Sequence, residues 1–222
     1  MMKLALFDLD NTLLNGDSDY CWAQYLIDRG ILEREEYERR NDWFYHHYKQ
    51  GTLDIHEYLA FQLAPIAGRP REEIDAWHAD FMRTKIRPIV HARTPALLAA
   101  HSGQLRAIVT ATNRFITAPI ARELGVEHLI ACEVEEGEDG RLTGRAVGTP
   151  SFREGKITRL EEWLGSLGHR LDDFEESWFY SDSLNDLPLL ERVTRPVAVD
   201  PDPTLESHAR DRGWPILRLR DQ

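Results

Sequence analysis

The 222-residue chain sets 27 Lys and Arg against 38 Asp and Glu, a formal charge of −11, and 42% of its residues are hydrophobic. That balance disfavours nonspecific attraction to nucleic acid or an anionic membrane, while the apolar content suffices for one domain, or one domain with an insert. No stretch nears the roughly 18 apolar residues of a membrane span, and the apolar run before Asp8 is too short for a signal peptide. Cys21 and Cys132 are far apart, match no metal-site spacing, and read as reduced structural thiols. The expectation is a cytoplasmic protein, monomer or homodimer, with no nucleic-acid or membrane partner.

Leu4-Ala5-Leu6 opens the first expected strand, near 3–8, and runs into Phe7-Asp8-Leu9-Asp10-Asn11-Thr12. Side chains two apart on a strand share a face. Asp8 and Asp10 can thus converge on one bound group, one attacking while the other handles a proton, with a divalent cation offsetting their repulsion. Alone, the string reads equally as a turn or helix cap. Windows 18–29, 33–50, 54–65 and 71–83 read as helices, punctuated by Gly30, Gly51 and Gly68-Arg69-Pro70. A strand over 105–110 then runs into Thr110-Ala111-Thr112-Asn113, hydroxyls and small residues where backbone amides can meet an anion.

A strand near 129–132 follows, and Cys132–Glu136 and Arg141–Val147 flank Gly137-Glu138-Asp139-Gly140 as a hairpin. Gly155-Lys156 opens a helical stretch and supplies a cation; a strand over 176–181 runs into Ser181-Asp182-Ser183-Leu184-Asn185-Asp186. Strands near 195–199 and 215–219 complete the alternation of a parallel α/β core. Singly, Thr110 is a strand-end residue, Lys156 a solvated lysine, Asn185 a turn former and Asp186 a helix N-terminal charge. Together the four motifs fall at strand ends, where open α/β sheets bind ligands. Carboxylate pair, hydroxyl, lysine and second carboxylate pair are the groups that phosphoryl transfer through an aspartyl-phosphate requires.

At these four motifs the chain resembles the haloacid dehalogenase superfamily of phosphohydrolases, in its phosphoserine-phosphatase-like branch. The resemblance implies an α/β fold: a Rossmann-like parallel core over 1–14 and 86–222, with a mobile α-helical cap over 15–85 inserted after the first motif. It also implies Mg²⁺ as cofactor and a small phosphomonoester as partner. Carried over by motif, Asp8 would be the nucleophile and Asp10 the general acid/base; Thr110, Lys156 and Asn185 would bind the phosphate. Asp8, the Asp10 carbonyl and Asp182 would hold the metal, and Asp186 a metal-bound water or Lys156. Two departures stand out: Ser181 where many relatives have glycine, and Ala111-Thr112 where a glycine pair often follows the second motif.

The cap bears on the substrate. Twelve of the chain's 21 aromatic residues lie between 15 and 85, most of them expected to form the cap's own core. In phosphoserine phosphatases an acidic residue at the place of Asp17 receives the substrate ammonium; equally, Asp17 can cap the first helix. Those relatives grip the carboxylate with an arginine after a Gly-x-Leu segment, where gap-free placement from Gly51-Thr52-Leu53 puts Gln62. An amide cannot replace a guanidinium clamp. The resemblance then points to a substrate with an amine and no carboxylate. L-histidinol phosphate fits, its imidazole meeting cap aromatics or His46, His47 or His56. Phosphoserine is the alternative, with phosphoethanolamine also open. A phosphotransferase, or a non-catalytic phosphate-binding module, is the reading from another class.

Overall fold

Leu4, Ala5, Leu6 and Phe7 are all completely buried. A run apolar on both faces suits a central strand covered by helices on each side. In the computed structural model, which describes residues 2–220, the strands are β1 (Lys3–Phe7), β2 (Leu105–Asn113), β3 (His128–Glu136), β4 (Leu142–Val147), β5 (Glu176–Ser181), β6 (Arg195–Val199) and β7 (Ile216–Leu217). They make one sheet in the order β4-β3-β2-β1-β5-β6-β7. Every pairing is parallel except β3 with β4, the hairpin expected around Gly137–Gly140. Strand order reverses between β1 and β5, so a crevice opens beyond the carboxyl ends of those two strands.

Alternate residues feed two cores. Ala5, Phe7, Ile108 and Tyr180 face one cluster, and Leu4, Leu6, Ala107, Val109 and Phe179 the other. β2 runs past Thr110 to Asn113, with a shift in its pairing to β3 between Val109 and Asn113. The irregularity carries the Thr110–Asn113 segment to the crevice.

Between β1 and β2 lie α1 (Ser18–Asp28), α2 (Arg34–Gln50), α3 (Ile55–Leu63) and α4 (Arg71–Phe81). Local chemistry sets their limits: Asp17, Glu33 and Asp54 cap α1, α2 and α3 through side-chain oxygens that accept backbone N–H groups. Gly51, at φ 71°, ends α2 in the left-handed region. The core helices follow: α5 (Thr94–Ala99), α6 (Arg114–Glu123), α7 (Glu154–Ser166), α8 (Leu187–Leu190) and α9 (Pro203–Arg212).

Backbone pairing, ring packing and hydrogen bonds all fix the helical insert to the core. Its two connecting chains pair, Leu14 bridging Val90 and the Asn15 N–H donating to the Ile89 carbonyl at 2.6 Å. On α1, the Trp22 ring lies 5.0 Å from Phe81 of α4 and 5.6 Å from Phe115 of α6, while His78 reaches the Ile116 carbonyl at 2.9 Å. The Gly68 N–H donates to the Leu142 carbonyl of β4 at 2.8 Å. Helices α2 and α3 depend on a smaller cluster of Ala23, Ile27, Tyr37, Phe44 and Phe61. Insert aromatics thus divide: Trp22, Tyr25, Tyr37, Phe44, Phe61 and Phe81 are buried, while Tyr20, Trp43 and Tyr45 are exposed.

Because Trp22 joins two insert helices to a core helix, Trp22→Ala is expected to cost about 3–5 kcal/mol in urea denaturation. A loss below about 1 kcal/mol would mean that α1 is not part of the cooperative core.

Candidate active site

The turn after β1 builds the first half of the site. The Leu9 carbonyl accepts the N–H groups of Thr12, Leu13 and Leu14 at 3.3, 2.9 and 3.0 Å, and Asn11 takes the left-handed conformation at φ 58°, which asparagine tolerates. This folds Thr12 back under Asp8. Its buried hydroxyl lies 3.4 Å from Asp8 Oδ2 and 3.1 Å from Asp182 Oδ1, one proton between two carboxylates. Asp182 stands just beyond β5, which pairs with β1.

Lys156 completes this half. Its ammonium donates to Asp8 Oδ1 at 2.8 Å and lies 2.7 Å from Asp186 Oδ1. Asp186 in turn accepts from the Ser181 hydroxyl at 2.6 Å, a job glycine at 181 could not do. Placing Lys156 requires a cramped entry to α7. A Cβ on Gly155 would sit 2.1 Å from the Pro150 carbonyl oxygen, and Arg153 holds a positive φ of 52°, strain of the kind found where surrounding structure fixes a functional loop.

Electrostatics follow from burial. Burial opposes the charged form of Lys156, but Asp186 and Asp8 outweigh it and hold the ammonium charged. Burial also raises Asp8, to about 7: Lys156 opposes the rise and Asp186 and Asp10 add to it. Asp182 is pushed well up by burial, then by Asp8 and Asp186. One ammonium thus faces more carboxylate charge than it can neutralise.

Asp10 faces the other way. Its Oδ1 accepts the Ser18 N–H at 2.7 Å and its Oδ2 the Thr112 hydroxyl at 2.8 Å. Burial, and then Asp17, raise it to about 7 against those bonds. Thr112 Oγ1 is also 3.2 Å from Asp19 Oδ2, and behind Asp19 the chain continues through Tyr58 at 3.4 Å, Gln62 at 2.7 Å and Tyr37 at 3.0 Å.

These groups surround a cavity of about 640 Å³ whose walls include Asp8, Asp10, Thr110, Lys156, Asp182, Asn185 and Asp186 from the core and Asp17, Asp19, Asp42, Tyr20, Tyr45, Tyr48 and Tyr58 from the insert. Asp17 lies on that wall and also caps α1, accepting the Tyr20 N–H at 2.9 Å, so the two expectations are compatible. Gln62 is buried behind Tyr58 and does not line the cavity. The gap-free placement aligned it by number, and the turn of α3 points it into the insert. His46, His47 and His56 also lie off the wall. Thr110 lines the cavity, and its hydroxyl accepts the Thr112 N–H at 3.1 Å. Asn185 accepts from Arg153 at 3.1 Å and donates to the Tyr48 carbonyl at 3.4 Å, tying the loop after β5 to the end of α2. Sequence reasoning gives no individual role to Thr12, Asp19 or Thr112, although Thr12 and Thr112 stand inside the first and second motifs; Tyr48 and Tyr58, two of the insert aromatics expected mainly as core, line the cavity.

The family described as haloacid dehalogenase-like hydrolase matches residues 5–191. The chain is 45% identical over 222 residues, 99% of this chain and all of the relative, to a protein named histidinol-phosphatase from Neisseria meningitidis serogroup C (strain 8013). A crystal structure of a Bordetella pertussis Tohama I protein of unknown function gives a TM-score of 0.93 at 49% identity, covering 99% of this chain and 100% of that one. A substrate-bound phosphoserine phosphatase gives a TM-score of 0.68 at 20% identity, covering 98% and 93%, a likeness of fold.

Asp8 titrates in the fold at about 7 against an ordinary 3.8. The fold therefore binds its proton more tightly than the unfolded chain does, and this group's contribution to stability falls as pH rises through that window. Lys156→Met removes the one ammonium opposing this. In EDTA, urea denaturation is expected to show a loss of about 3–5 kcal/mol near pH 8 and a smaller loss near pH 5, where the abandoned carboxylates protonate. A loss independent of pH would show that the ion cluster is not what the lysine stabilises.

Proposed function

We propose that this chain, which belongs to the haloacid dehalogenase-like hydrolase family and is a phosphatase, hydrolyses a small amino-containing phosphomonoester, L-histidinol phosphate first, through an aspartyl-phosphate on Asp8. The observation that carries the chemistry is the buried array in which Asp8 contacts Lys156 while Asp10, on the same cavity, is held by donors of its own. In the first half-reaction a carboxylate oxygen of Asp8 bonds to phosphorus as the ester P–O bond breaks, and Asp10 gives its proton to the departing alkoxide. In the second, Asp10 takes a proton from water as that water's oxygen bonds to phosphorus and the Asp8 oxygen leaves. Lys156 and Thr110 hold the equatorial oxygens, and Asp186, with Ser181 behind it, keeps the ammonium on the cavity side.

The donor chemistry fits Mg²⁺. By the family resemblance the protein's share would be two carboxylates, Asp8 and Asp182, and the backbone carbonyl of Asp10; among the described residues no group of three or more His, Cys, Asp or Glu could hold a metal by itself. Both carboxylates turn an oxygen toward the same Thr12 hydroxyl and carry surplus charge, the hard oxygen environment Mg²⁺ prefers. When bound, the ion supplies positive charge against the phosphoryl oxygens.

Substrate preference rests on the insert side of the cavity, where Asp17 and Asp42 stand among Tyr20, Tyr45, Tyr48 and Tyr58. Carboxylates interleaved with rings suit an ammonium and an imidazole. The 45% identity to a full-length relative named histidinol-phosphatase supports this reading. A specific observation favours phosphoserine as the second reading: the insert contributes one cation to the described lining, Lys49, its ammonium 5.4 Å from the centroid of the Tyr45 ring and placed to meet a carboxylate.

Two measurements test this. Asp8→Asn is expected to abolish turnover while circular dichroism keeps its folded signature; substantial activity in a pure sample would remove the nucleophile assignment. With Mg²⁺, kcat/KM for L-histidinol phosphate is expected to exceed that for O-phosphoserine and phosphoethanolamine by about 100-fold, roughly 2.7 kcal/mol. Preference for O-phosphoserine, lost in Lys49→Ala, would establish the second reading instead.

A further inference from the structure

One cluster of buried polar groups is left over by the mechanism above. Thr112 and Asp19 are 5% and 2% exposed, and neither is asked to touch phosphorus, metal or leaving group. We infer that Thr112 and Asp19 are positioning residues for Asp10, fixing the rotation of its carboxyl for both proton transfers. The inference rests on the acid/base role proposed for Asp10.

Hydrogen-bond polarity fixes the direction of the Thr112 proton. Gln62 Oε1 can only accept, so the Tyr37 hydroxyl donates to it; Gln62 Nε2 can only donate, so the Tyr58 oxygen accepts. That leaves the Tyr58 proton for Asp19 Oδ2, while Asn113 Nδ2 faces Asp19 Oδ1 at 3.5 Å. With donors on both of its oxygens, Asp19 does not need the Thr112 proton. Thr112 has one to give, and Asp10 Oδ2 at 2.8 Å is nearer than Asp19 Oδ2 at 3.2 Å. Burial, with the charges of Asp17 and Asp10, also favours the protonated form of Asp19, which would donate to Thr112 Oγ1 and reinforce the same direction. With the Ser18 N–H on Oδ1, Asp10 is held by one donor on each oxygen. Its carboxyl plane is fixed before substrate arrives, the condition under which proton transfer contributes fully. A residue without a hydroxyl at 112 breaks the series at its last link.

The leaving group separates positioning from simple structural damage. p-Nitrophenolate departs without a proton, so single-turnover release from p-nitrophenyl phosphate, with enzyme in excess, reports attack by Asp8 and spares Asp10. An alkyl ester that the wild type turns over, L-histidinol phosphate or O-phosphoserine, needs Asp10 in both halves. Thr112→Val is expected to lower kcat on the alkyl ester about 10–100-fold with KM little changed, while single-turnover p-nitrophenolate release stays within about twofold of wild type. Thr112→Ser is expected to restore turnover. Asp19→Ala is expected to reproduce the loss, with the double variant no worse than the poorer single one, as for groups acting as a unit. The proposal is overturned if Thr112→Val matches wild type on the alkyl ester, or if alkyl turnover and p-nitrophenolate release fall together. Asp10→Asn is the separate control. Near-wild-type alkyl turnover in that variant would overturn the acid/base role itself, whatever the Thr112 variants do.

Discussion

The ion cluster in which the Lys156 ammonium touches both Asp8 and Asp186 sets the terms for everything around it. A buried carboxylate without a partner is costly, and one partner removed costs more than the pair contributes. With every carboxyl of the cluster drawn into the same crevice, the lysine has to arrive at one point from the first turn of α7, which packs on the face of the sheet bearing Leu4, Leu6 and Phe179. The tight entry at Gly155 and the left-handed Arg153 are the backbone's accommodation to that demand. Ser181 belongs to the same constraint, since its hydroxyl donates to the Asp186 oxygen that also accepts from Lys156.

Seen from this cluster, the site has two sides with different chemistry. The Asp8 side is an ion cluster closed by elements of the sheet. The Asp10 side is a series of neutral or shared-proton bonds that runs out through Thr112, Asp19 and Tyr58 into α2 and α3. Two carboxylates only two residues apart therefore sit in environments that ask different things of them, which is how one turn can supply an attacking group and a proton carrier.

Much of the architecture was legible in the sequence because strong local signals agreed with the global fold. Apolar runs gave the strands near their observed limits, cap residues and glycines gave the four insert helices, and the motif residues stood at strand ends where the sheet's topology brings them together. What could not be read was anything decided by a partner far along the chain. Nothing local marks Thr12 as lying between Asp8 and Asp182, or Thr112 as facing Asp10, because each contact joins segments that meet only in the packed sheet. Gln62 shows the same limit from the other side. Counting from Gly51 placed it on the substrate, but the face a helix residue presents depends on what packs against it, and Tyr37 and Tyr58 claim its amide. The insert histidines drew attention by their chemistry and lie away from the cavity.

The pairing of Leu14 with Val90 brings both ends of the insert through one doorway, a few residues from the turn that bears Asp10. Chain topology would therefore permit excision of the helices: a short turn could rejoin neighbouring backbone and leave the sheet order untouched. Packing forbids it. Phe115 and Ile116 belong to the same apolar cluster as Trp22 and Phe81, so a core stripped of its insert would expose the sticky face of α6. The segment is separable as a path and inseparable as a solvent boundary. An exchange of inserts between relatives would have to carry matching residues on α6 with it, so this face of the core and the specificity of the cavity change together.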